Sequence, residues 1–428
     1  MLRRLRVPLA ILALSATLHL NTTRAAELAW RGWLGGGPRD GWVDTFQTPA
    51  AWPDKLQQRW QVEVGSGYGS PVLADGLVYQ HGRQGEDEVV RCINLKTGAV
   101  KWQQSYPVPF KIGGGGERHG KGPKSSPALA DGRLFTVSIT GVLFAWDAKS
   151  GDLLWKRDYG DRFDKRHLYW GATTSPLVHQ NHVMVHFGFD DAGVLVALDV
   201  ASGKEVWSYG KAGPSYASPL LIELHGFRQL VELNMEGLVS VDAQTGRLLW
   251  KYPYPQIDSD QNMVTPSYYQ GLILLGGENR GIRGLAPILR EDDWVIEERW
   301  QQDKVALDMS TAVINKDFLF GFSHYGRGRL FCLEPRTGKI RWQGPGRTGN
   351  NVTFLSFPGH VAALVNKGQL QILAAQGEQY ERVASYGVSE TPTWAPPVLV
   401  ENGVLIKDEQ RLTLWSFSPS SVASQGTP

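Results

Sequence analysis

The chain has 428 residues, a formal net charge of +2, 42% hydrophobic residues, 49 glycines and 16 tryptophans. A near-neutral charge argues against a nucleic-acid partner or an acidic membrane surface as the target. So many glycines and tryptophans, with no long amphipathic helical stretch, point to an all-β chain in which a ring of sheets uses the whole length as one domain.

Residues 1–25 read as a secretory signal peptide. Arg3, Arg4 and Arg6 precede an apolar run from Val7 to Leu20, and Thr23-Arg24-Ala25 supplies small residues for cleavage before Ala26. The run is short for a membrane span, and no cysteine follows it to carry a lipid anchor. Cleavage removes four arginines and takes the formal charge from +2 to −2. The expected product is soluble, secreted across the inner membrane and periplasmic, with no transmembrane segment left. Residues 26–57 form an N-terminal arm, 58–417 the folded body, and the Ser-rich 418–428 a disordered tail.

The body is organised by one phrase that occurs five times: an acid or amide, two spacers, Thr or Ser, Gly, three spacers and Trp. Its copies run from Asn94 to Trp102, Asp147 to Trp155, Asp199 to Trp207, Asp242 to Trp250 and Glu334 to Trp342. The head residue can bond the N–H groups of the following turn, and the glycine supplies a positive φ there. The Trp then lies on the return strand, where its ring can dock on a neighbouring sheet. Alternating stretches upstream, such as Leu143-Phe144-Ala145-Trp146, read as half-buried strands.

A second marker counts the units. Ser-Pro or a relic of it recurs at Pro71, Pro127, Pro176, Pro219 and Pro266, then as Ser310-Thr311-Ala312, Phe354-Leu355-Ser356 and Pro396-Pro397. The spacing averages about 46 residues, which is the period of a propeller blade. From Gly246 to Gly338 is 92 residues, so a degenerate hairpin lies between them and ends at Trp300. The fold predicted is an eight-bladed β-propeller of four-stranded antiparallel blades. Its last unit lacks an outer strand, and Arg59-Trp60-Gln61-Val62-Glu63-Val64 resembles an orphan one, so the N-terminal strand is expected to close the ring.

The connections between blades open onto one face around the channel mouth. The longest are Tyr106 to Lys124, Asp161 to Thr173 and Tyr252 to Val264, and they carry Lys111, Glu117, Arg118, His119, Lys121, Arg162, Lys165, Arg166, His167, Tyr169 and Trp170. The residues just before each inner strand should ring the axis: Tyr68, Lys124, Thr173, Tyr216, Asn262, Asp308, Asn350 and Trp394. Such a ring could hold a small organic anion, with Lys124 countering its charge and Trp394 or Tyr216 stacking on it. A glycan on the aromatic face around Trp170 is a further alternative. No metal site is predicted. His182 and His186 would lie ~13 Å apart along a strand, and Asp258 and Asp260 read as solvated loop residues. Cys92 and Cys332 occupy equivalent positions in different units and read as two buried thiols rather than a disulfide.

The fullest copies of the phrase, Ala145-Trp146-Asp147 to Trp155 and Ala197-Leu198-Asp199 to Trp207, resemble the repeat of the pyrroloquinoline quinone (PQQ) propellers, and the resemblance covers Trp60 to Phe417. It implies that Trp102, Trp155, Trp207, Trp250, Trp300 and Trp342 dock blade against blade. It implies one of two activities. In one branch, similar to outer-membrane protein assembly factor B, the propeller is a scaffold without cofactor that binds a protein partner in the cell envelope. In the other it is a quinoprotein dehydrogenase oxidising alcohols or sugars with PQQ and calcium, with Asp308 as general base and Asn262 and an acidic neighbour on the calcium. Adjacent cysteines and a Cys-x-x-Cys-His haem motif, found in many such enzymes, are missing from this chain. The expectation is therefore a non-catalytic binding or assembly scaffold.

Overall fold

The structure is a computed structural model that describes residues 29–35, 38–112, 119–163, 170–189, 192–257 and 261–418. The proposed signal peptide and nearly all of the proposed tail lie outside them.

Thirty-two strands form eight four-stranded antiparallel sheets arranged as the blades of a propeller. Among the described residues there is no α-helix, only three short 3-10 turns. The first blade comprises Val72–Ala74, Leu77–Gln84, Asp87–Asn94 and Val100–Pro107, running from the channel outwards. Its inner and middle strands are buried and its outer strand alternates between half-buried and exposed. A sheet stacked between two neighbours needs apolar side chains on both faces of its inner strands, which is why Val89, Val90, Cys92 and Ile93 are all buried.

The recurring phrase builds the hairpin and the joint between blades together. Asp147 Oδ1 accepts the N–H groups of Lys149 and Ser150 at 2.9 and 2.8 Å, and the same bond is made by Asn94, Asp199 and Asp242. Gly151 has φ +82°, and a Cβ there would stand 2.7 Å from the ring of Trp102 in the preceding blade. The Trp102 indole N–H donates to Ala148 O at 3.1 Å, so the ring lies over the glycine and ties the turn to the neighbouring blade. Trp155 on Gly203, Trp207 on Gly246 and Trp300 on Gly338 repeat the contact, and Trp342 donates to Gln376 O.

Trp250 departs from the series. Its ring packs in a cluster shared by the fourth and fifth blades, but its N–H stays within its own blade, on Gln229 Oε1 at 2.8 Å. The physical reason is the fifth blade's long outer hairpin, Ile282–Arg290 with Asp293–Gln302, which carries its turn past the point where the other blades offer a carbonyl.

The ring closes through β1, Gln57–Glu63, which pairs antiparallel with the chain's last strand, Arg411–Ser416. Trp60 then does for the closing blade what the phrase does elsewhere: it sits over Gly98 and donates to Leu95 O at 2.8 Å.

The N-terminal arm also has a defined course. Trp30 pairs with Leu73 of the first blade, and Arg31 O accepts from Leu129 N of the second. Arg39 Nη2 donates to Ser175 O and Pro176 O of the third at 3.0 and 2.6 Å. Beyond that, Gly41 O and Val43 N bond Ser356 of the seventh blade, and Gln47 N reaches Glu401 O of the eighth. The arm therefore straps across the far end of the channel before feeding β1. Its own Trp30, Leu34, Val43 and Phe46 are buried against the blades.

Candidate functional site

A ring of hydroxyls lines the channel and explains the Ser-Pro marker. Ser70 N donates to Ser126 Oγ at 2.8 Å, Ser126 N to Ser175 Oγ at 3.0 Å, Ser175 N to Ser218 Oγ at 3.0 Å and Ser218 N to Thr265 Oγ1 at 2.9 Å. Each hydroxyl satisfies the N–H of the serine two residues before the preceding blade's inner strand, a donor next to the proline, which has no N–H of its own. In the seventh blade the relic lies inside the inner strand, Val352–Phe357, and the joint is made by Val352 N on Ser310 Oγ.

The channel holds a cavity of about 1300 Å³, which Ser175, Ser218 and Thr265 of this ring help to line. Its floor is the strap, through Trp33 and Leu34, together with Thr353 and Phe354. The cavity is a cup, stoppered at the end where the arm crosses.

Seven of the eight axial residues predicted from the sequence line it: Tyr68, Lys124, Thr173, Tyr216, Asp308, Asn350 and Trp394, with Trp170 beside them. Asn262 does not. Its amide is turned into the blade wall, donating to Asn234 O and Tyr254 O, and it is fully buried, so Met263 faces the cavity in its place. The sequence position was right and the side-chain direction was not, because two carbonyls left bare by the connecting loop claim the amide. Of the other residues singled out, Glu117, Arg118, Lys165, Arg166, His167, Tyr169, Asp258 and Asp260 lie outside the described residues.

One wall is aromatic. Tyr68 and Trp394 stack with centroids 5.4 Å apart and planes at 19°. His119 meets Trp394 and Trp170 edge-on at 5.2 and 5.0 Å, and its Nδ1 lies 3.0 Å from Tyr68 Oη. Trp170 donates to Gln261 Oε1 at 2.7 Å, and Thr173 donates to Tyr216 O at 2.8 Å. Lys124 Nζ lies 5.7 Å from the centre of the Tyr68 ring and 3.4 Å from Gly120 O. Burial lowers its ammonium pKa to about 8, because this wall removes water without offering a carboxylate in return. The opposite wall is polar and includes Glu278, Asp308, Arg327 and Asn350.

Of the residues a quinoprotein calcium site would draw on, Asp308 lines the cavity and Asn262 does not, while Asp258 and Asp260 lie outside the described residues. The Asn262 amide nitrogen donates to carbonyls and its Oδ1 is buried without a partner, and no group of three His, Cys, Asp or Glu side chains suited to a metal occurs among the described residues. Cys92 and Cys332 are free, buried thiols in the first and sixth blades, pushed up to about 11 and about 12 by desolvation. His186 is held by Glu232 of the next blade, with Nδ1 2.6 Å from Oε1, so its spacing from His182 serves a joint between blades.

Fold and site together define a closed eight-bladed propeller with a stoppered axial cup. A family model described as outer membrane protein assembly factor BamB matches residues 86–344 and 236–419. The chain belongs to this family of PQQ-like β-propellers. It is 26% identical over 221 residues to the outer membrane protein assembly factor BamB of Moranella endobia, covering 51% of each chain. It is 28% identical over 166 residues to the quinohemoprotein alcohol dehydrogenase ADH-IIG of Pseudomonas putida, covering 38% of this chain and 21% of that one. The chain thus spans about half the length of the BamB relative and less of the dehydrogenase. In fold it is similar to BamB from Moraxella catarrhalis, with TM-score 0.61, 17% identity and coverage of 85% and 98% of the two chains. It is similar also to quinohemoprotein alcohol dehydrogenase from Comamonas testosteroni, with TM-score 0.66, 13% identity and coverage of 93% and 82%.

Proposed function

We propose that the protein is a non-catalytic binding or assembly scaffold of the bacterial cell envelope, exported to the periplasm and engaging a protein partner there. The observation that supports this reading is the direction of Asn262: the side chain that a calcium-dependent quinoprotein would present at the axis is turned into the blade wall and does not line the cavity. The relatives named as assembly factors support it, as does a sequence that resembles an exported one. No described helix is long and apolar enough to cross a membrane.

Crosslinking in the intact envelope should recover one stable protein partner, and removing the protein from its host should lower the amount of folded outer-membrane protein. A clean monomer together with unchanged outer-membrane protein would overturn the reading.

A second reading, a PQQ- and calcium-dependent alcohol or sugar dehydrogenase with Asp308 as base, is favoured by the cavity itself. Its volume of about 1300 Å³ exceeds the ~300–1,000 Å³ typical of small-molecule sites. Among the described residues Asp308 faces the cavity but Asn262 does not, so the pair does not fit calcium there and no reaction step is derived through that cofactor.

A further inference from the structure

The scaffold reading leaves the aromatic wall of the cup unused, and the following inference does not depend on that reading. Lys124 is an amine held against an aromatic wall inside a large cavity. Its ammonium has Gly120 O at 3.4 Å as hydrogen-bond acceptor and the Tyr68 face at 5.7 Å. Among the described residues no carboxylate forms an ion pair with it, and the shift of its pKa has desolvation by burial as its cause. A desolvated lysine in an apolar pocket is the arrangement that raises the share of free amine and makes it a nucleophile toward carbonyl carbon. Flat ligands are favoured on the same wall, because Tyr68 and Trp394 already stack nearly parallel with His119 and Trp170 edge-on to one side.

We propose that the cup captures carbonyl-bearing aromatic compounds, which Lys124 binds reversibly as an imine. The amine lone pair adds to the carbonyl carbon, the two nitrogen protons pass to the oxygen, and water leaves as the C=N bond forms. Nothing is oxidised or reduced.

Lys407 provides an internal control. Burial lowers it too to about 8. However, it is 1% exposed, bonded to Asp408 O and Glu409 O, and is not itself among the residues that line the cavity, although Glu409 is. Depressed basicity alone would favour reaction at both lysines; a reactive cavity favours one.

The test treats the intact mature protein at pH 8 with salicylaldehyde and cyanoborohydride, which fixes the imine, and follows each lysine by peptide mass spectrometry. Lys124 should be modified at least about ten-fold faster than exposed lysines such as Lys96, Lys149 and Lys204, as the larger free-amine fraction at a lower pKa requires. Lys407 should stay unmodified. Propanal should keep the preference that the free amine confers but show a smaller ratio of Lys124 to surface-lysine labelling than salicylaldehyde, and Trp394→Ala should erase that difference between the two aldehydes. Labelling of Lys124 no faster than the exposed lysines, or equal ratios with propanal and salicylaldehyde on the unmutated protein, would overturn the proposal.

Discussion

Gly151 must be glycine for two separable reasons. Its φ of +82° disfavours a side chain, and a Cβ would stand 2.7 Å from the Trp102 ring. Gly132 shares the first reason, at φ +71°, but has open space within 4 Å. Gly132→Ala should therefore cost only the conformational term, about 1 kcal/mol. Gly151→Ala should cost roughly 2–4 kcal/mol, because the rigid ring cannot yield without leaving its bond to Ala148 O. Urea denaturation of the two variants measures the difference, and equal losses would mean that the tryptophan does not set the spacing of the blades. The phrase was legible in the sequence because the same turn and the same ring contact recur with fixed spacing. The direction of Asn262 was not, since it depends on which loop carbonyls happen to lie within reach. The role of the Ser-Pro hydroxyls also escaped a reading that used them only as markers. Their signal was present in the regular serine before each proline.

At the scale of elements, β1 and the strap perform different tasks. β1 supplies an outer strand that would otherwise leave Arg411–Ser416 as an open sheet edge. The strap seals the channel's far end with its own apolar side chains, Trp30, Leu34, Val43 and Phe46, which are buried against the blades. Removing residues 1–52 should leave a cooperative, strand-rich protein whose Tm falls by on the order of 10 °C, as the loss of four buried apolar side chains implies in a chain of this size. Removing residues 1–64 should abolish soluble folding. If the longer truncation melts like the shorter one, ring closure through β1 contributes nothing. Closure was legible because an orphan strand with a tryptophan precedes the first repeat. The docking of Trp60 on Gly98 was missed because that contact joins the seam of the ring rather than two consecutive copies of the phrase. The strap was missed because it has no periodicity. It is held by scattered aromatic residues and by Arg39, whose two carbonyl acceptors lie more than a hundred residues away.

At the scale of the whole molecule, one architecture serves relatives named as assembly factors and relatives named as quinohemoprotein dehydrogenases, so the fold does not choose between them. What distinguishes this chain is local. An aromatic wall with a desolvated lysine faces a polar wall that contains Asp308, and the nearby amide is committed to the blade. The scaffold reading proposes a cup without quinoprotein catalysis. It is tested most directly by titrating the purified mature protein with PQQ and calcium, following tryptophan fluorescence and dye reduction with alcohols and aldoses. The account predicts no calcium-dependent saturation and no turnover. Saturable, calcium-dependent binding with dye reduction that Asp308→Ala abolishes would contradict it and place the protein with the dehydrogenases.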